Sequence, residues 1–217
     1  MARIDDMEAA LSLERFGRYV AWAGGDREQA LRLYTLNTQV SEALYIALQT
    51  LEISLRNRIH TVMSTKYGER WSRDPALIKA QHQTAQVADA IAEIEANGKE
   101  PTAGRVVAAL SFSFWTAMFS PAYEDLWRST LRFIATREGK GLARKDFSRP
   151  LTQIRLLRNR IAHHEPILHW DLQRHHRQLR ELTLWLSPPA FDWSQDLDRF
   201  DAVYPAEGAL LARDAQD

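Results

Sequence analysis

From Asp26 to Tyr67-Gly68 the chain carries an unbroken helical pattern, with Leu44, Leu48, Leu51, Leu55, Ile59 and Val62 at spacings of four and three. Asp26 follows Gly24-Gly25 and has the short carboxylate that caps a helix N-terminus. So long an apolar stripe on one face predicts a core-facing helix, against which the rest of the chain must pack.

The remaining sequence offers helices of its own. Asp74-Pro75 predicts a helix start, with Leu77, Thr84, Val87, Ile91 and Ile94 on one side and Asn97-Gly98 as its stop. Thr102 predicts another start, carrying Val106, Leu110, Phe114, Ala117 and Met118 as far as Pro121. Tyr123–Ala135 predicts a shorter helix, and REGKGLARKD, with its two glycines, a polar loop. Pro150 predicts the start of a helix through Leu151, Ile154, Leu157 and Ile161. After Pro166 a last helix carries Leu172, Leu179, Leu182 and Leu186 up to Pro188-Pro189. No stretch alternates in the strand manner, so the expected fold is all-α, a bundle with long members. We expect a helical domain over residues 1–189 and an irregular acidic extension over 190–217, where periodic apolar positions are few.

At 217 residues the chain is long enough to bury a real core as one domain. Cysteine is absent, which rules out disulfides, thiolate metal sites and a thiol nucleophile. Acids and arginines interrupt the apolar positions of MARIDDMEAALSLERFGRYV, unlike a signal peptide, and no later segment resembles a membrane span. A cytoplasmic protein is therefore expected. Lys plus Arg and Asp plus Glu both number 28, so bulk attraction to nucleic acid is not the driving term. The charge is unevenly spread, however. Arg149 to Arg180 holds seven arginines against two acids, a net of +5, and Asp192 onward holds seven acids against two arginines, a net of −5. These are either two solvated faces or a polyanion-binding surface with a tail that folds back over it.

LRNRI occurs twice, at Leu55–Ile59 and Leu157–Ile161. In the first copy Glu52, Arg56 and His60 lie one turn apart on a helix face, the pattern of a salt-bridged ridge. In the second, Pro166 disfavours helix at Glu165, so the helix must end near His163-His164. A histidine there is released from helical spacing, and the helix's unpaired carbonyls favour its imidazolium. Two roles stay open for Arg158 and His163: capping the helix, or binding a phosphate and moving a proton, which are what metal-free phosphodiester cleavage needs.

The run Arg158-Asn159-Arg160-Ile161-Ala162-His163 resembles the signature of the HEPN superfamily of helical domains. LSLERFGRYV, LQTLEISLRNRIH, GRVVAALSFSFW and RLLRNRIAHHEPI, in that order over about Leu11 to Trp185, resemble the bacterial Abi-like (abortive infection) family within it. The resemblance implies a four-helix-type core, a homodimer with the two motifs facing one groove, and a metal-independent endoribonuclease acting as a toxin or phage-defence effector. RNA is then the substrate, and a protein or RNA antitoxin is the expected regulator. By this analogy Arg158 binds the scissile phosphate and His163 is the general acid or base, while Asn159, Arg160, His164 and Arg56 contact RNA. No cofactor is implied. The tail after Pro189 has no counterpart in the family.

Two rivals belong beside this reading. His163, His164, His169, His175 and His176 suggest a metal site, but HExxH is missing, and adjacent His175 and His176 point about 100° apart on a helix. The aromatic SFSFWTAMF and Trp185 suggest base stacking in a non-catalytic RNA- or nucleotide-binding or protein-interaction module, although aromatics at helical spacing also suit a core.

Overall fold

The computed structural model describes residues 4–11 and 13–211. Among these every regular element is helical. Two short helices, α1 (Ile4–Leu11) and α2 (Leu13–Trp22), lead to the long spine, α3 (Arg27–Tyr67). At 1.5 Å per residue α3 is about 60 Å long. Asp26 caps it, its carboxylate accepting the Gln29 N–H at 3.0 Å. Leu44, Leu48, Leu51, Leu55, Ile59 and Met63 bury along its inner face, with Val62 at the edge.

The second predicted helix starts later than Asp74-Pro75 suggests. Asp74 turns the chain once, its carboxylate accepting the Ala76 N–H, and α4 runs only from Gln81 to Ala96. The delay has a tertiary cause: the Tyr123 hydroxyl accepts the Lys79 N–H at 3.1 Å and donates to Gln83 Oε1 at 2.6 Å. Thr102 does cap a helix, but the stretch to Pro121 is split into α5 (Ala103–Ala109) and α6 (Phe112–Ala117). Val106, Val107, Leu110, Phe112, Phe114 and Trp115 are all buried, and one straight helix cannot turn that many faces inward. An extended Leu110 makes the corner, and its carbonyl accepts the Trp115 indole N–H at 3.3 Å. The predicted helix over Tyr123–Ala135 is likewise broken, into α7 (Glu124–Ser129) and a tight turn at Leu131–Phe133. Buried Thr130 stands at the break and is bonded to Lys66 and Tyr67 at the end of the spine.

Helix α8 spans Arg144–Ala162, so Pro150 lies inside it rather than at its start. The Asp146 carboxylate accepts the Ala143 N–H at 2.8 Å and so supplies the N-terminal cap upstream of the proline. Phe147, Leu151, Ile154 and Leu157 form its buried row. Helix α9 (Leu172–Leu186) lies against both α3 and α8. It does end before Pro188-Pro189, but those prolines form the first turn of α10 (Pro188–Gln195), capped by Ser187.

The segment expected to be irregular is thus partly helical, with α11 (Phe200–Val203) following. Both α10 and α11 pack on the spine. Phe200 and Tyr204 are buried, and Phe200 stacks on His176 at 4.3 Å. Asp198 accepts from His176 at 2.7 Å and Arg180 at 2.9 Å, so one acid of the tail folds back onto the basic helix. Arg213, Asp214 and Asp217 of the acidic run lie outside the described residues. No described helix is long and apolar enough to cross a membrane.

Candidate functional site

The second LRNRI copy forms the C-terminal end of α8. The chain leaves the helix in a two-bond turn: the Glu165 N–H donates to the Arg160 carbonyl at 2.8 Å, and the His164 N–H to Ile161 at 3.1 Å. His164 holds the left-handed position, φ 57°, which glycine usually fills. His163 is the residue just before it, at φ −94°. Both imidazoles are exposed.

Asn37 of the spine fixes the far side of this turn. Its Oδ1 accepts the N–H of buried Ile167 at 2.8 Å, and its Nδ2 donates to the Glu165 carbonyl at 3.5 Å. Asn37 sits in the buried register of α3, between Leu33 and Val40. A polar residue in an apolar row was the sequence signal for this clamp. Arg160 serves the same turn: its guanidinium donates to the Pro166 carbonyl at 3.2 Å, pairs with Glu165 at 3.5 Å and covers the Trp170 ring.

Arg158 points elsewhere, into a groove of about 440 Å³ between α3 and α8, lined also by Tyr45, Gln49, Glu52, Ile53 and Arg56. Its Nε lies 3.8 Å from a Glu52 carboxylate oxygen, an ion pair too long for a hydrogen bond. Burial lifts the Glu52 carboxyl above its usual range, against the pull of Arg158 and then of Arg56. The groove therefore holds two arginines around one half-buried acid. Arg158 and His163 are not hydrogen-bonded to each other, and Asn159 links them through its carbonyl, which accepts the His163 N–H at 2.9 Å.

The first copy divides. Arg56 joins the groove, and its Nε donates to Asn57 Oδ1 at 3.4 Å. His60 is committed to packing: its Nδ1 accepts the Trp71 indole N–H at 3.1 Å and its Nε2 lies 3.3 Å from Glu69. Sequence had put Glu52 on the ridge with Arg56 but had no means of showing that Arg158 faces the same acid.

His169, His175 and His176 are separately engaged. The Trp170 indole donates to His169 Nε2, His175 Nδ1 lies 2.6 Å from the Asp171 carbonyl, and His176 pairs with Asp198. Among the described residues no three His, Cys, Asp or Glu side chains are grouped to hold a metal ion.

No curated protein and no solved structure matches the chain. The sequence profile of the Abi-like protein family matches residues 8–169, which takes in the spine, the groove and both LRNRI copies. The chain belongs to the Abi-like protein family, which ties it to abortive infection, a phage-defence role.

Proposed function

We propose that this chain is a metal-independent endoribonuclease of the HEPN kind, used in phage defence and working as a homodimer. One observation carries the reading: arginines from both LRNRI copies converge on one groove, and an exposed histidine stands at the end of the helix that lines it. Arg158 binds the scissile phosphate, whose oxygens displace the loosely held Glu52 carboxylate, and Arg56 takes a neighbouring phosphate. Glu52 offsets the repulsion between the two guanidinium groups until RNA arrives.

His163 removes the proton from a ribose 2′-hydroxyl as that oxygen attacks phosphorus. The bond from phosphorus to the 5′-oxygen breaks, and that oxygen leaves with a proton, giving a cyclic phosphate and a free 5′-hydroxyl. Asn159 orients the site, and His164 contacts a flanking phosphate. Arg160 acts through the turn it holds. DNA lacks the attacking hydroxyl and is spared.

Tyr45 and Ile53 leave apolar surface exposed beside Arg158, which a second copy would cover while bringing its own motif to the groove. The test compares wild type, Arg158→Ala and His163→Ala for single-stranded RNA cleavage in EDTA and for toxicity on expression. Each variant should lose about 10²- to 10⁴-fold in rate, and Arg56→Ala should lower the rate without abolishing it. Folded Arg158→Ala and His163→Ala proteins as active as wild type would overturn the assignment. RNA shifted intact by the wild type would make the chain a binder instead.

A further inference from the structure

On its solvent side α8 forms a wall of a second, larger cleft of about 1060 Å³, which the cleavage site does not use. Its floor comes from α6 and the turn after it, and its far wall from α9. The charge of this cleft is one-sided: Arg144, Lys145, Arg149, Arg155 and Arg174 line it, and no Asp or Glu does.

Arg144 is neutralised from behind, donating to Glu124 at 2.6 Å and to the Phe119 carbonyl. Lys145, Arg149, Arg155 and Arg174 have no carboxylate partner among the described residues. Four unpaired cations facing one cleft repel one another, and an anionic ligand removes that cost. The described acids of the tail do not pair with them. The tail occupies His176 and Arg180, whereas Arg174 and His175 of the same helix face the cleft.

Two of these cations begin a longer line. Lys145, Arg149, Thr152, Leu156, Asn159 and His163 succeed one another at spacings of four, three, four, three and four, so they form one row along α8. All are exposed except half-buried Asn159. The row begins on the cleft's cations and, about 27 Å on at 1.5 Å per residue, ends at the histidine of the second LRNRI copy. Hydroxyls and amides such as Thr152, Gln153 and Gln178 supply neutral donors beside the cations, the mixture that holds phosphate and sugar without reading sequence.

We propose that this cleft is a binding track for the sugar-phosphate backbone of single-stranded RNA, which it leads along α8 to Asn159 and His163. The proposal names the substrate-binding surface of the nuclease inferred above and rests on that reading. Lys145 and Arg149 lie in the row that continues to His163, and Arg155 and Arg174 line the same cleft beside it; cations spread over two helices suit a chain of phosphates rather than one small phosphorylated ligand.

The experiment measures binding of a labelled single-stranded RNA of about 12 nucleotides as salt is varied, using the full chain in EDTA. For single strands the slope of log affinity against log salt falls by about 0.7 for each phosphate contact. Neutralising three cations together, Lys145→Gln with Arg149→Gln and Arg174→Gln, should flatten the slope by about 2 and weaken binding at least tenfold at about 0.15 M salt. All three side chains are exposed and unpaired, so circular dichroism should stay that of the wild type. As a converse that does not depend on a loss, Thr152→Arg should steepen the slope by about 0.7. His163→Ala should bind with the wild-type slope yet fail to cleave.

An unchanged slope in the triple variant overturns the track, whatever happens to cleavage. A triple variant that loses slope, beside a His163→Ala protein that still cleaves, keeps the track and sinks the catalytic assignment. Equal competition by duplex DNA or by inorganic polyphosphate of matched charge would show general anion capture and would also overturn the track.

Discussion

Replacing Asn37 by alanine should loosen the turn that carries the candidate histidines, at a cost set by one hydrogen bond. Asn37 is 5% exposed, and its Oδ1 accepts the Ile167 N–H at 2.8 Å, Ile167 being 0% exposed. Without that oxygen a buried backbone donor is left unpaired, which costs about 1–3 kcal/mol. The bond from Nδ2 to the Glu165 carbonyl, at 3.5 Å, lies at the limit of useful geometry and adds little. Alanine recovers roughly 0.5 kcal/mol through better helix propensity, about what its small cavity takes away. The net loss is therefore about 1–3 kcal/mol, which in a chain of this length lowers Tm by roughly 3–10 °C. Urea unfolding gives the free energy, and amide exchange at Ile167 gives the location, because that N–H should be protected in the wild type and exchange rapidly in Asn37→Ala. A loss below about 0.5 kcal/mol with the Ile167 amide still protected would refute the clamp. It would leave the turn to its own two backbone bonds and to Arg160.

Three further outcomes follow from the same geometry. His164→Gly removes the strain of a left-handed histidine, so urea unfolding should show a gain of about 0.5–1 kcal/mol; a loss would mean that the imidazole itself holds the turn. His169 is pulled down to about 4 by burial first, then by Arg160 and Arg18, so the folded protein refuses a proton that the unfolded chain accepts below about 6.5. Stability should fall by about 1 kcal/mol, discounted for a partly exposed ring, as pH drops from 6.5 to 4, and His169→Gln should flatten the urea midpoints over that range. For Asp198 burial is the largest effect and raises its pKa, but the Phe200 N–H, His176 and Arg180 together outweigh it and leave the carboxyl below its usual range. Its stabilisation is complete above the ordinary carboxylate pKa and is lost as pH falls through the lowered one. Asp198→Asn should cost about 3 kcal/mol and open residues 196–205 to limited proteolysis; an uncut segment would show that Phe200 and Tyr204 anchor the tail unaided.

The prolines show how far local signals carry. Pro188-Pro189 and Pro150 are the same residue type with the same locked φ, and the start-of-helix rule holds for the first pair and fails for Pro150. The difference lies upstream. Ser187 caps directly ahead of Pro188, whereas Asp146 has already capped Ala143 one turn before Pro150, so the helix is under way when the proline arrives. The spine, with its Asp26 cap and regular stripe, was legible because every local signal agrees there. The corner at Leu110 and the break at Thr130 were not, since the first depends on an indole N–H from the next helix and the second on the end of α3, far away in the chain. The two LRNRI copies followed the same division. Histidine spacing and Pro166 separated a helix end from a helix face, but whether Arg56 and Arg158 meet depends on how α3 lies beside α8, which neither segment encodes alone.

Pro150 then matters for function as well as for fold. Had α8 begun at the proline, Lys145 and Arg149 would belong to a loop, with no fixed phase relative to Asn159 and His163. Because the helix begins at Arg144, the two cations share one register with the motif, and a charge excess visible in the composition becomes a directed row that ends at the candidate histidine.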